Sequence, residues 1–198
     1  MSKRNAILAA ATRLFSQNGF QGTAVSELST LTGAATGTIF HHFRNKEDLF
    51  LQVLKDVKVN LLEQFEHHRQ QTPPEESGIA IVADVITFYL HLAGTMEDQF
   101  LILHRHFPYQ MAETSPVCRD HLASIYTCLL DIFEEGIQKG VRDGSVTVDD
   151  PRKTAMVLFA MVDGIVRLNT YRVYDAGALY ECLMAACHRL LDGRSLSR

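Results

Sequence analysis

Residues 36–46 read Thr-Gly-Thr-Ile-Phe-His-His-Phe-Arg-Asn-Lys, and the polar members of that string have the chemistry of a nucleic-acid contact. Thr36 and Thr38 carry hydroxyls that bond phosphates or base edges, and a Thr methyl can meet a thymine methyl. Gly37 has no side chain, so a DNA backbone can approach closely there. Lys46 supplies an ammonium, and in the first turn of a helix it would share one phosphate with the helix-end amides. A polar, solvent-facing helix with a glycine would carry the same residue types, so these residues alone leave both readings open.

Other chemistries find less support. Nine histidines invite a metal site. However, His41-His42 and His67-His68 are adjacent pairs, His104 and His106 are two apart, and no HExxH occurs. None of these has the i, i+4 spacing that sets two ligands on one helical face. Cys118, Cys128, Cys182 and Cys187 form no CxxC pair. They read as reduced thiols, with Cys118, near a loop, the most exposed candidate for sensing oxidation. GxSxG, GxxxxGK and GxGxxG are all absent, and Asp149-Asp150 and Glu134-Glu135 are helix-end and surface-type acids. The expectation is a protein with no catalytic residue, no metal and no cofactor.

The elements around these residues are helical. With 46% hydrophobic and 21% charged residues, the composition is that of an ordered globular chain. Thr154–Val166 reads as the most apolar segment, and it is short and carries Asp163, so no membrane span is expected. Met1-Ser2-Lys3-Arg4 leads straight into a helical pattern without a cleavage signal, which points to the cytoplasm. Residues 1–50 hold five Lys/Arg against three acids, a net of +2, and the remainder holds 14 basic against 20 acidic residues. A basic head on an acidic body suits a head that meets a polyanion.

Periodicity predicts an all-α fold of about nine helices. Ile7, Leu8, Ala11, Leu14 and Phe15 make one stripe, stopped by Gly19. Val25, Leu28 and Leu31 mark a second helix, stopped by Gly33, and a third starts near Ala35 and buries Ile39 and Phe43. Asn45 caps a fourth, which ends before Pro73-Pro74. Further helices are expected over 75–93, 97–106 (before Pro108), 116–139 (ending at Gly140), 151–171 (capped by Asp149 or Asp150) and 176–191. The division that follows is a helix-turn-helix head at 1–48 and a larger helical body at 49–198.

The glycine-containing turn Thr32-Gly33-Ala34-Ala35 joins the second and third helices as in a helix-turn-helix, where the later helix enters the major groove. The string from Phe15 through Phe50 resembles the N-terminal signature of the TetR/AcrR family of transcriptional regulators. The matching residues are Leu14-Phe15, Gly19-Phe20, Thr23-Ala24-Val25, Leu28, Gly33, Gly37-Thr38-Ile39-Phe40-His41-His42-Phe43 and Asn45-Lys46-Glu47-Asp48-Leu49. The resemblance implies double-stranded DNA as partner, with Thr23, Val25, Ala35, Thr36, Gly37, Thr38, Phe40, His41, His42 and Lys46 as contacts. Four positions depart from the usual pattern. Ala35 stands where a capping Ser is common, Thr36 where Lys is, Phe40 where Tyr is, and Ala24 where Ser or Thr is. They imply weaker phosphate binding, a third helix whose start orders only on DNA, and a Phe40 that serves packing alone.

The same resemblance implies that the body binds an effector and forms a homodimer through its last two helices. Val157, Leu158, Met161, Val162, Ile165, Val166 and Leu168 cover more than one face, and Ala160 and Gly164 permit close approach. Leu179, Leu183, Met184, Ala186, Cys187 and Leu190 do likewise on the last helix. Leu158, Met161, Val162, Ile165, Leu179, Leu183, Met184 and Leu190 are the expected dimer residues. A pocket for a hydrophobic or aromatic effector is expected from Phe65, Phe88, Tyr89, Phe100, Leu103, His104, Phe107, Tyr126, Leu129 and Phe159, with Arg105 or Arg167 to anchor an anionic lipophile. Arg105 and Arg167 can equally pair with Asp163 or Asp98. The function expected is a regulator, in the family's majority a repressor, that leaves its operator when the effector binds. A metal- or redox-sensing regulator and a helical interaction module without DNA binding are the alternatives.

Overall fold

The computed structural model describes residues 2–71, 73 and 76–192, and among them every regular element is an α-helix. They run α1 (Lys3–Gly22), α2 (Val25–Thr32), α3 (Thr36–His42), α4 (Lys46–Arg69), α5 (Gly78–Thr95), α6 (Glu97–His104), α7 (His106–Thr114), α8 (Pro116–Asp143), α9 (Pro151–Thr170) and α10 (Ala176–Leu191). Pro74 and Glu75, where the sequence reading ends one helix and starts the next, lie outside the described residues.

The helix missing from the sequence reading is α7. Pro108 suggests a stop, yet it is the third residue of α7, where the missing N–H leaves no helical bond unmade. The expected end of α8 at Gly140 is also corrected, since the helix runs on to Asp143. Gly140 is a packing residue rather than a cap. A Cβ there would lie 2.3 Å from Val146 Cγ2, and a Cβ on Gly78 would lie 1.9 Å from the Gly140 backbone nitrogen. The left-handed glycine after α8 is Gly144, at φ +79°.

The chain forms two compact units, one of Met1–Gln64 with Met96–Ile125, the other of Phe65–Thr95 with Tyr126–Arg198. The first therefore includes more than the expected head of 1–48, because Leu49, Phe50, Val53 and Leu54 of α4 are buried in it. On α1 the buried stripe is Ile7, Leu8, Ala11 and Phe15, at helical spacing. Phe15 and Phe50 meet edge to face at 5.4 Å.

In the second unit α5 buries Val82, Val85, Ile86, Tyr89 and Leu92. This helix, and not Thr154–Val166, is long and apolar enough by length and composition to cross a membrane. Two of its polar side chains bond within the unit. Asp84 lies 2.7 Å from His68 Nε2, and the Tyr89 hydroxyl donates to Asp163 Oδ1 at 2.7 Å. Asp150 starts α9 by accepting from the Lys153 N–H at 3.0 Å, and Pro151 follows it in the first turn.

Cys118 is buried and its thiol donates to the Pro108 carbonyl at 3.4 Å, so the expectation that it is the most exposed cysteine is overturned; Cys182 is the exposed one. Burial pushes the Cys118 thiol above its ordinary value and that of Cys187 up to about 11.

Two tests follow. Gly140→Ala should lower unfolding stability by about 1–3 kcal/mol in urea titration, since Val146 cannot yield to the new methyl; an unchanged midpoint would contradict the packing role. The second concerns pH. Below the ordinary thiol value of 9.0, Cys187 is protonated in both states. As pH rises towards about 11 only the unfolded chain ionises there, so stability falls. A Cys187→Ala variant should lose less stability over that window than the parent protein, and an equal loss would refute the assignment.

Candidate nucleic-acid interface

The turn between α2 and α3 is built by three local bonds around one left-handed glycine. Gly33 has φ +64° and ends α2. Ser29 Oγ donates to the Ala34 carbonyl at 2.7 Å, Thr32 Oγ1 donates to the Leu28 carbonyl at 2.6 Å, and the same Thr32 oxygen accepts from Ala34 N–H at 3.3 Å. Ala24 has no side-chain oxygen to cap α2, but the Glu27 carboxylate accepts from the Ala24 N–H at 3.0 Å. At α3 nothing replaces the lost cap, and Ala35 gives the helix no side-chain bond.

With Ile39 buried, α3 turns one face inward and leaves Ala35, Thr36, Gly37, Phe40, His41 and His42 exposed. Thr38 and Val25 are half-buried. Phe40 is 44% exposed, so the expected packing role does not hold within this chain. Thr23 is also corrected. It is 2% exposed, and its hydroxyl donates to the carbonyls of Leu14 at 3.1 Å and Gly19 at 2.8 Å. It therefore ties the end of α1 together and presents no side chain outward.

Lys46 opens α4. Asn45 Oδ1 accepts from the Asp48 N–H at 2.7 Å, and Asp48 Oδ2 accepts from the Arg44 N–H at 2.9 Å. The Lys46 ammonium lies 4.6 Å from the centre of the Phe20 ring. Partial burial lowers its pKa from the ordinary value, and the charge of Glu27 opposes that shift.

The residues expected to line a pocket divide between the two units. Phe100, Leu103 and His104 are buried in the first, and Phe107 there stacks on Phe20. Arg105 is no anion anchor and pairs with neither acid; its guanidinium donates to the carbonyls of Ser16 at 2.5 Å and Gln17 at 3.1 Å. Asp98 instead accepts from the Ser16 hydroxyl at 2.5 Å. The second unit holds Phe65, Phe88, Tyr89, Tyr126, Leu129 and Phe159. Rings of Tyr89 and Tyr126 stand 5.7 and 6.0 Å from Phe159, and Phe88 stacks on His68 at 3.8 Å. Arg167 is exposed, so it anchors nothing inside that unit.

The expected dimer residues are also sorted. Leu158, Val162 and Leu183 are buried inside their own unit and cannot face another copy. Met161, Ile165, Leu179, Met184 and Leu190 are half-buried. The outward face of α9 carries Val157, Ala160, Gly164 and Leu168, at three- and four-residue spacing, and that of α10 carries Ala178, Cys182 and Ala185. The spacing was readable in the sequence, but periodicity in a helix apolar nearly all round does not say which side faces inward. Among the described residues no group of three or more His, Cys, Asp or Glu lies close enough to hold a metal ion.

Comparison with known proteins gives a consistent picture. Residues 7–53 match the profile of bacterial regulatory proteins, tetR family. The HTH-type transcriptional regulator RutR of Escherichia coli (strain K12) is 26% identical over 159 residues, covering 80% of this chain and 71% of that protein. The transcriptional regulator FadR of Bacillus subtilis, solved in complex with stearoyl-CoA, superposes with a TM-score of 0.75 at 22% identity, covering 96% of this chain and 98% of that one. A protein of Saccharomonospora viridis solved in complex with choline gives a TM-score of 0.78 at 19% identity, covering 96% of each chain. The two structures share the fold of this chain.

Thr23 separates structure from recognition. Thr23→Val, which keeps shape but removes the hydroxyl, should lower stability by about 1 kcal/mol and leave the preference among DNA sequences unchanged. A changed sequence preference with unchanged stability would return Thr23 to the contact surface.

Proposed function

We propose that this chain, whose residues 7–53 match the profile of bacterial regulatory proteins, tetR family, is a homodimeric transcription repressor whose operator binding is relieved by a small hydrophobic effector. The observation that carries the reading is the outward face of α3 behind the Gly33 turn, with Lys46 opening α4 four residues after α3 ends. In this reading α3 lies in the major groove of double-stranded DNA. Thr36, Thr38, His41 and His42 meet base edges and phosphates, Ala35 and Gly37 allow close backbone approach, and Val25 and Phe40 add apolar contact. Lys46 holds a phosphate. Residues 1–48 act as the reading head and 49–198 as the effector and dimer body, working in the cytoplasm.

Dimerisation follows from how the head works. One short helix reads few base pairs, and two heads at fixed spacing read two half-sites about one helical turn apart. The exposed small and apolar faces of α9 and α10 supply the surface, with Val157, Ala160, Gly164 and Leu168 replacing the buried Leu158 and Val162 as its centre. The effector site belongs to the aromatic second unit, around Phe65, Phe88, Tyr89, Tyr126, Leu129 and Phe159. An effector relieves binding only through its unequal affinity for the two head spacings. RutR is a transcriptional regulator by name and FadR holds stearoyl-CoA, which supports the regulator class and an apolar ligand.

The test is a gel shift with DNA flanking the protein's own gene. Purified dimer should shift it at low salt and lose it steeply as salt rises. Lys46→Ala should weaken binding to all sequences alike, while Thr36→Ala or His41→Ala should alter the order of preferred sequences. Absence of any shift at low salt would overturn the regulator reading.

A further inference from the structure

Phe20 lies between two groups that the helix-turn-helix itself does not explain. Phe107 of α7 is parallel to it, with centroids 3.8 Å apart and planes 5° apart. The Lys46 ammonium lies 4.6 Å from the same centroid. A ring stacked at that distance fills one face, so the ammonium takes the other, where the ring quadrupole attracts it. Phe50 closes the edges, 5.6 Å from Phe20 and 5.1 Å from Phe107, both edge to face. Phe107 is itself held. Arg105, two residues before it, donates to the carbonyls of Ser16 and Gln17 near the end of α1, and Asp98 accepts from the Ser16 hydroxyl.

We propose that Phe107 is a positioning residue for DNA binding, holding the Lys46 ammonium at its phosphate site by bracing Phe20 from behind. The proposal rests on the regulator reading and adds to it a residue far outside the helix-turn-helix. The physical reason is entropy. A lysine has a long flexible stem, and an ammonium that must be ordered on binding contributes less than one already in place. Phe20 supplies the platform for that ammonium, and Phe107 stops the platform from turning away. Without Phe107 the Phe20 ring has vacant space behind it, and the ammonium spreads over several positions.

The experiment measures anisotropy of a labelled duplex of arbitrary sequence over a salt series, using the full-length protein. Lys46→Ala should weaken binding about three- to tenfold and flatten the salt slope by about one per bound head. Phe107→Leu should weaken binding in the same sense, Phe107→Tyr should keep a ring and stay close to the parent, and Lys46→Ala combined with Phe107→Leu should bind no worse than Lys46→Ala alone. A parallel NMR measurement needs no DNA. The Lys46 ε-methylene protons should show an upfield ring-current shift that Phe107→Leu, or the milder Phe107→Met, removes. Full additivity of the two substitutions, or a ring-current shift that survives in a folded Phe107 variant, would overturn the proposal. If the parent protein binds no duplex at low salt, the regulator reading fails and the proposal with it. If it binds and only the Phe107 variants match the parent, the regulator reading stands and the proposal alone falls.

Discussion

A unit as short as α1 to α3 cannot enclose a core of its own, because chains of about 40 residues bury too small a share of their surface. Its apolar side chains must be finished by other parts of the chain. Phe50 from α4 and Phe107 from α7 supply the missing surface, and with Phe15 and Phe20 they form one contiguous set of rings. Most other features of the first unit follow from that dependence. α4 begins at a firmly capped Asn45 so that Leu49 and Phe50 enter at a fixed angle. The end of α1, bent at Gly19, is bonded from α6 and at Arg105 just after it, by Asp98 and the Arg105 guanidinium. Thr23 then stitches the bend from inside.

Local chemistry made part of this legible in the sequence. Gly33 ends α2 because the turn needs a positive φ, and the exposed polar string from Thr36 to His42 follows from one buried residue, Ile39. Contacts between distant residues were not legible. Nothing near Phe107 says that it stacks on a ring 87 positions earlier, so it read as pocket lining. Thr23 is a contact only by resemblance, and the sequence does not tell that the carbonyls of Leu14 and Gly19 lie within reach of its hydroxyl. Pro108 and Gly140 were misread for a related reason. Both residue types end helices, but proline is harmless in a first turn and glycine also serves where backbones meet closely. Leu158 and Val162 were assigned to the outer face for want of a partner helix to decide the question.

The second unit has a different balance of charge from the one expected. Arg105 belongs to the first unit and Arg167 to the surface, so neither basic group sits inside it. Two acids bond to side chains within it, Asp163 to the Tyr89 hydroxyl and Asp84 to the His68 imidazole. Each links two helices, α9 to α5 and α5 to α4, so these bonds hold the helices in register while the rings fill the space between them. The outer faces of α9 and α10 meanwhile carry small residues, which let another helix approach closely.

The proposed reading helix, α3, carries no Lys or Arg. Ala35, Thr36 and Phe40 hold positions that can carry a cap, an ammonium and a hydroxyl, and all three are exposed. General attraction to DNA grows with the number of phosphates neutralised, so under the proposed function such a head would be held loosely wherever the bases do not suit it. Loose holding means short stays. Under the proposed function the protein would leave wrong positions quickly and sample more of the DNA in a given time.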